Sequence, residues 1–65
     1  MKLICLSTNQ EIRKGDYVTN TVTGKEGVLM ETLPNKDGGR ILVMMNQAND
    51  SLEFMPCAIN AKFAS

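Results

Sequence analysis

Two thiols, three serine hydroxyls and seven carboxylates are the groups among these 65 residues that could carry covalent or acid–base chemistry, and no histidine stands beside them. Imidazole is the commonest general base at neutral pH, and the chain has none to offer. Ser7, Ser51 and Ser65 fall in expected turns or at the terminus, with no base pattern nearby. Glu11, Asp16, Glu26, Glu31, Asp37, Asp50 and Glu53 are scattered singly. They read as solvated surface charges, with Asp16 capping a turn. Cys5 and Cys57 form no C-x-x-C pair, and no histidine can complete a common zinc site. Both lie in apolar stretches and are expected as buried, reduced thiols; one disulfide between the chain's ends is the other reading. Gly24-Lys25-Glu26-Gly27 lacks the glycine spacing and following Ser/Thr of a phosphate loop. Asn49-Asp50-Ser51 holds too few acids for a calcium loop. Gly38-Gly39 reads as a flexible hairpin loop rather than an anion nest. The expectation is a protein that is not an enzyme and uses no metal and no cofactor.

Contact chemistry is better represented. Of the five methionines, Met30, Met44, Met45 and Met55 sit in or beside expected strands. Neighbours on a strand point to opposite faces, so Met44-Met45 sends one thioether outward. Methionine adapts to irregular partners, and Phe54 lies close in sequence to extend such a patch. Arg13, Lys14, Lys25 and Arg40 supply the basic residues. The candidate partner-binding residues are therefore Met44, Met45 and Phe54, with Lys14, Lys25 and Arg40. Lys+Arg and Asp+Glu balance at seven each. Nonspecific nucleic-acid binding rests on a basic excess, which is missing here. A protein partner, or a second copy in a homo-oligomer, ranks ahead of nucleic acid, since zero net charge gives little colloidal repulsion.

The elements that must position these residues are short. A chain of this size buries only about 60% of the surface it exposes when unfolded, so its core is small. Glycine and Asn/Asp punctuation divides it into β-type runs: Lys2 to Ser7, Glu11 to Lys14, Tyr17 to Val22, Val28 to Leu33, Arg40 to Asn46, Leu52 to Met55 and Asn60 to Ala64. Turns are expected at 8–10, at Gly15-Asp16, at Thr23 to Gly27, at Pro34 to Gly39 and at Ala48 to Ser51. Val18, Asn20 and Val22 share one strand face. Pro56 ends a strand and suits the first position of a helical or 3₁₀ turn over Cys57 to Ile59. No ten-residue stretch shows a period of 3.6. The expectation is one all-β domain over residues 1–65, a small barrel of five or six short strands with a 3₁₀ turn near the C-terminus. Closure would hide edges that a small open sheet leaves sticky. The apolar run after Met1 is too short for a signal peptide or a membrane span, so a soluble cytoplasmic protein that enters no membrane is expected.

Lys14-Gly15-Asp16-Tyr17-Val18 through Gly24-Lys25-Glu26-Gly27-Val28-Leu29 resembles a KOW-type motif, over 16 of the 65 residues. That motif belongs to SH3-like barrels of ribosomal proteins and transcription elongation factors. The resemblance implies an SH3-like barrel, with a KOW-like RNA- or DNA-associated module as the alternative function. In such a hairpin Gly15 turns the chain into the strand, Val18 and Val22 point inward, and Gly27 takes a backbone geometry that a Cβ would strain. Fewer basic residues stand in this loop than in the RNA-binding members. The whole layout also resembles small tailed-bacteriophage proteins, through Gly39-Arg40-Ile41-Leu42-Val43 and Phe54-Met55-Pro56. That likeness implies a phage accessory protein in the host cytoplasm. The leading functional expectation is a protein-binding or self-associating barrel.

Overall fold

The structure, a computed structural model, describes residues 1–46 and 50–65. Strand β1, Lys2–Cys5, pairs antiparallel with β6, Ala61–Ala64, setting Leu3 opposite Phe63 and Cys5 opposite Ala61. The chain leaves β1 because the Cys5 carbonyl accepts the Asn9 N–H at 2.8 Å while Asn9 takes φ 60°, a left-handed geometry that asparagine tolerates. It then doubles back along the free edge of β1. Cys5 N–H donates to the Gln10 carbonyl at 2.9 Å and Ile12 N–H to the Leu3 carbonyl at 2.7 Å. The strand expected over Glu11 to Lys14 is reduced to one bridge, Ile4 opposite Glu11. Asp16 is the reason: its carboxylate takes the Arg13 N–H at 2.9 Å, and its own N–H donates to the Arg13 carbonyl at 3.0 Å. That turn claims the groups a ladder would need.

The second sheet is antiparallel throughout, in the order β2-β3-β4-β5. Its strands are β2 Tyr17–Thr19, β3 Glu26–Leu33, β4 Arg40–Met45 and β5 Ser51–Phe54. β2 stops at Thr19, short of the expected Val22. Asn20 ends it, since its Oδ1 accepts the N–H groups of Val22 and Thr23 at 2.9 and 3.1 Å. Thr21 then folds toward the C-terminal turn, with N–H and Oγ1 both donating to the Ala58 carbonyl at 2.8 and 3.1 Å. Val22, expected inward beside Val18, is consequently 86% exposed.

Gly15 takes φ 94°, as its turn role requires. Gly27 needs to be glycine for another reason than the expected backbone strain. A Cβ there would lie 2.6 Å from both the Met44 carbonyl oxygen and Val43 Cγ1. The β3–β4 register steps from Leu29 opposite Val43 to Glu31 opposite Leu42, a bulge at Met30. Pro56–Ile59 forms the 3₁₀ turn with proline at its start, and Asn60 ends it at φ 56°. The turn expected over Ala48 to Ser51 falls largely outside the described residues.

Among the described residues the all-β class, six strands and a 3₁₀ turn near the C-terminus are thus present. Leu3, Val18, Leu29, Ile41, Val43, Met45, Ile59 and Ala61 form one core drawn from both sheets and the 3₁₀ turn, with Ile12, Phe54 and Phe63 packed at its margin. A radius of gyration of 10.6 Å matches the ~11 Å expected of a folded chain this long. Among the described residues no helix is long and apolar enough to cross a membrane.

Candidate functional site

Register places the side chains of the larger sheet. Directly opposed residues on neighbouring strands share a face, and faces alternate along each strand. Val18, Gly27 and Met45 form one inward row, and Leu29, Val43 and Leu52 another. Tyr17, Val28, Met44 and Ser51 line up on the opposite, outer face. The next outer row is Glu31, Leu42 and Glu53. Tyr17 is 71% exposed, while Val28, Leu42 and Met44 are half-buried. Ser51 Oγ lies 3.9 Å from Met44 Sδ.

Two ion pairs stand at the ends of the Leu42 row, along one side of the Tyr17–Val28–Met44 row. Lys14 Nζ meets Glu31 Oε1 at 3.0 Å to one side of Leu42, and Lys36 Nζ meets Glu53 Oε2 at 2.7 Å to the other. The Lys14 ammonium, with the Thr32 N–H, holds the Glu31 carboxyl below its ordinary range. The outer face thus joins an apolar row to a neighbouring row that ends in paired charges.

The sequence-derived candidates divide across the molecule. Met44 lies in the outer row and Lys14 at its border. Met45 is 6% exposed and belongs to the core, so the outward member of the methionine pair is Met44. Phe54 pairs with Ile41 on the inner face and packs against the core margin. Arg40 is half-buried and braces the loop before β4, its Nη1 donating to the carbonyls of Asp37 and Gly39 at 2.7 and 2.9 Å. Lys25 precedes β3 and Arg40 pairs with the last residue of that strand. At 3.3 Å per residue the seven steps from Glu26, next to Lys25, to Leu33 span roughly 23 Å, so Lys25 and Arg40 form no single basic patch. Tyr17, Val28 and Leu42 were not singled out from the sequence. Their signal was the unbroken apolar run Ile41 to Met45, which asks for a cover on both faces of β4.

The thiols differ from expectation. Both are free, but Cys57 is exposed and Cys5 only half-buried. Pro56 and Ile59 take the core side of the 3₁₀ turn, leaving Cys57 outside. Cys5 sits where β1 ends, with Sγ 3.3 Å from Ser7 Oγ. Hydrogen bonds from the Ser7 and Thr8 hydroxyls, then from the Thr8 and Ser7 backbone, lower its pKa from 9.0 to about 6. Its signal in the sequence was Cys5-Leu6-Ser7-Thr8 at a strand end, where hydroxyls fold back on the preceding residue. Among the described residues no group of three or more His, Cys, Asp or Glu side chains is arranged to hold a metal ion. In comparisons with known proteins, the chain matches no family model, no curated protein and no solved structure.

Proposed function

We propose that the domain is a non-enzymatic protein-binding module of SH3-like architecture, which engages its partner through the outer face of β2-β3-β4-β5. The observation that carries this reading is the outer row Tyr17–Val28–Met44, extended by Leu42, which stands between the Lys14–Glu31 and Lys36–Glu53 pairs. Aromatic residues and methionine are enriched at interface centres, where charged residues are depleted. The phage resemblance would set this activity in the host cytoplasm, as an accessory factor acting on a host or phage protein.

The test replaces Tyr17 and Met44 together by lysine and compares capture of protein from a bacterial lysate with that by the unaltered domain. Circular dichroism and thermal unfolding establish that the variant is folded. Capture should fall at least tenfold, the loss expected when two central contacts of about 1–2 kcal/mol each are removed. Undiminished capture by a folded variant contradicts the reading. The KOW-like alternative makes a different forecast. Titration of labelled single-stranded RNA at low salt would show binding that weakens steeply as salt rises. The placement of Lys14, Lys25 and Arg40 gives it less support, because one is paired, one braces a loop and they stand apart.

A further inference from the structure

A second surface, separate from the outer face, lies along the open edge of β5. The ladder assigns its polar groups. Met45 N–H donates to the Asp50 carbonyl at 2.9 Å, which makes Met45–Asp50 a hydrogen-bonded pair. Such pairs alternate along an antiparallel ladder. Leu52 and Phe54 therefore turn their backbone groups toward β4, opposite Val43 and Ile41. Ser51 and Glu53 turn theirs away from it. Among the described residues no backbone hydrogen bond reaches these outward groups.

Among the described residues the other edges are shorter, bridged or carry a lysine, as β6 does at Lys62. β2 is three residues long and is followed by a loop pinned to Ala58, and the free side of β1 is bridged by Glu11. β5 has no lysine, proline or bulge to blunt its edge. Its one charge, Glu53, is matched by Lys36 at 2.7 Å. The inward row Leu29–Val43–Leu52 also ends unfinished. Leu29 and Val43 are buried, while Leu52 at the sheet's edge is 45% exposed.

We propose that the occupant of this edge is a second copy of the chain, pairing β5 with β5 antiparallel about a two-fold axis at Leu52. A two-fold axis normal to the sheet keeps inner faces together, so each residue must oppose one of the same face. Centring on Leu52 sets Leu52 against its own copy and Ser51 against the partner's Glu53. The outward N–H and C=O groups of Ser51 and Glu53 then satisfy one another. Leu52 becomes a non-hydrogen-bonded pair, whose side chains approach most closely and cover the unfinished apolar row. Centring on Glu53 would instead oppose two carboxylates, which is unfavourable. The product is a continuous sheet with two outer faces side by side. So short an edge buries little area, so the dimer is a weak, concentration-dependent one.

Two experiments test this. Sedimentation equilibrium from roughly 10 μM to 1 mM, the range suited to a small interface, should show the mass rising from 7.2 kDa toward twice that value. Monomer throughout overturns the proposal. The second fixes the register, in a background carrying Cys5→Ser and Cys57→Ser. Leu52→Cys brings two thiols onto Cα atoms about 4.5 Å apart, within disulfide reach. Glu53→Cys leaves them about 8–9 Å apart, beyond reach. Under mild oxidation Leu52→Cys should form covalent dimer at least tenfold faster than Glu53→Cys or the loop control Thr23→Cys. Equal rates at the three positions, or faster bridging at Glu53→Cys, overturn it. Tyr17 and Met44 are untouched in these proteins, so capture of a partner through the outer face is read independently.

Discussion

A thiol at the end of β1 behaves according to its hydroxyl neighbours. The Ser7 hydroxyl 3.3 Å from Cys5 Sγ, with Thr8 beside it, stabilises the thiolate. Alkylation by iodoacetamide follows the thiolate fraction. The rate at Cys5 should therefore rise through pH about 6 and level off, whereas an unassisted thiol rises through 9.0. Ser7→Ala should move that inflection upward, and mass spectrometry of peptides from a pH series reads it. The same shift links to stability. A depressed folded-state pKa adds stability that is complete above the unfolded value and is lost as pH falls through the folded one. Unfolding of the unaltered protein relative to Ser7→Ala should thus become harder between pH about 6 and 9 and show no such difference below 6. The sequence disclosed the two cysteines but hid this environment. Apolar flanks suggested burial, while Cys5 lies where its strand stops and Cys57 on the outer side of a 3₁₀ turn.

Elements end here where a side chain outcompetes the ladder. The alternation Tyr17-Val18-Thr19-Asn20-Thr21-Val22 reads as one strand, and half of it is. Asn20 breaks it by accepting two backbone N–H groups with an oxygen that is itself inside, the residue being 7% exposed. Periodicity records which residues are apolar and is blind to such local bonding. Asn20→Ala should leave the Val22 and Thr23 donors without that acceptor and cost about 1–3 kcal/mol in denaturant unfolding. Asn20→Asp, which keeps the acceptor, should recover part of the loss. Gly27 shows the converse limit. Sequence reasoning marked it as obligatory glycine, but the cause is the neighbouring strand at 2.6 Å rather than its own dihedral angles. Gly27→Ala should separate β3 from β4 locally and destabilise the fold by about 1–3 kcal/mol, the usual cost of overpacking. Urea titration measures it.

At the scale of the whole molecule, glycine and asparagine punctuation every few residues allows little but short strands, which is why the all-β class and the 3₁₀ turn were legible. Pairing was not. The outer row joins Tyr17, Val28 and Met44 from separate strands, and their adjacency depends on register, including the step at Met30. No single-strand pattern contains that information. The same register takes Met45 and Phe54 to the inner side and leaves Met44 outside, so one folding decision divides the candidate residues into core and surface. Whether the proposed partner docks on this outer face is open to a direct experiment. A photo-crosslinking amino acid placed at Met44, compared with one at Thr23 in the loop after Asn20, addresses it most directly. Discrete partner adducts should form from position 44, be competed away by excess unlabelled domain, and be missing from position 23. Adducts of equal yield from both positions, or adducts from 23 alone, would contradict docking on this face.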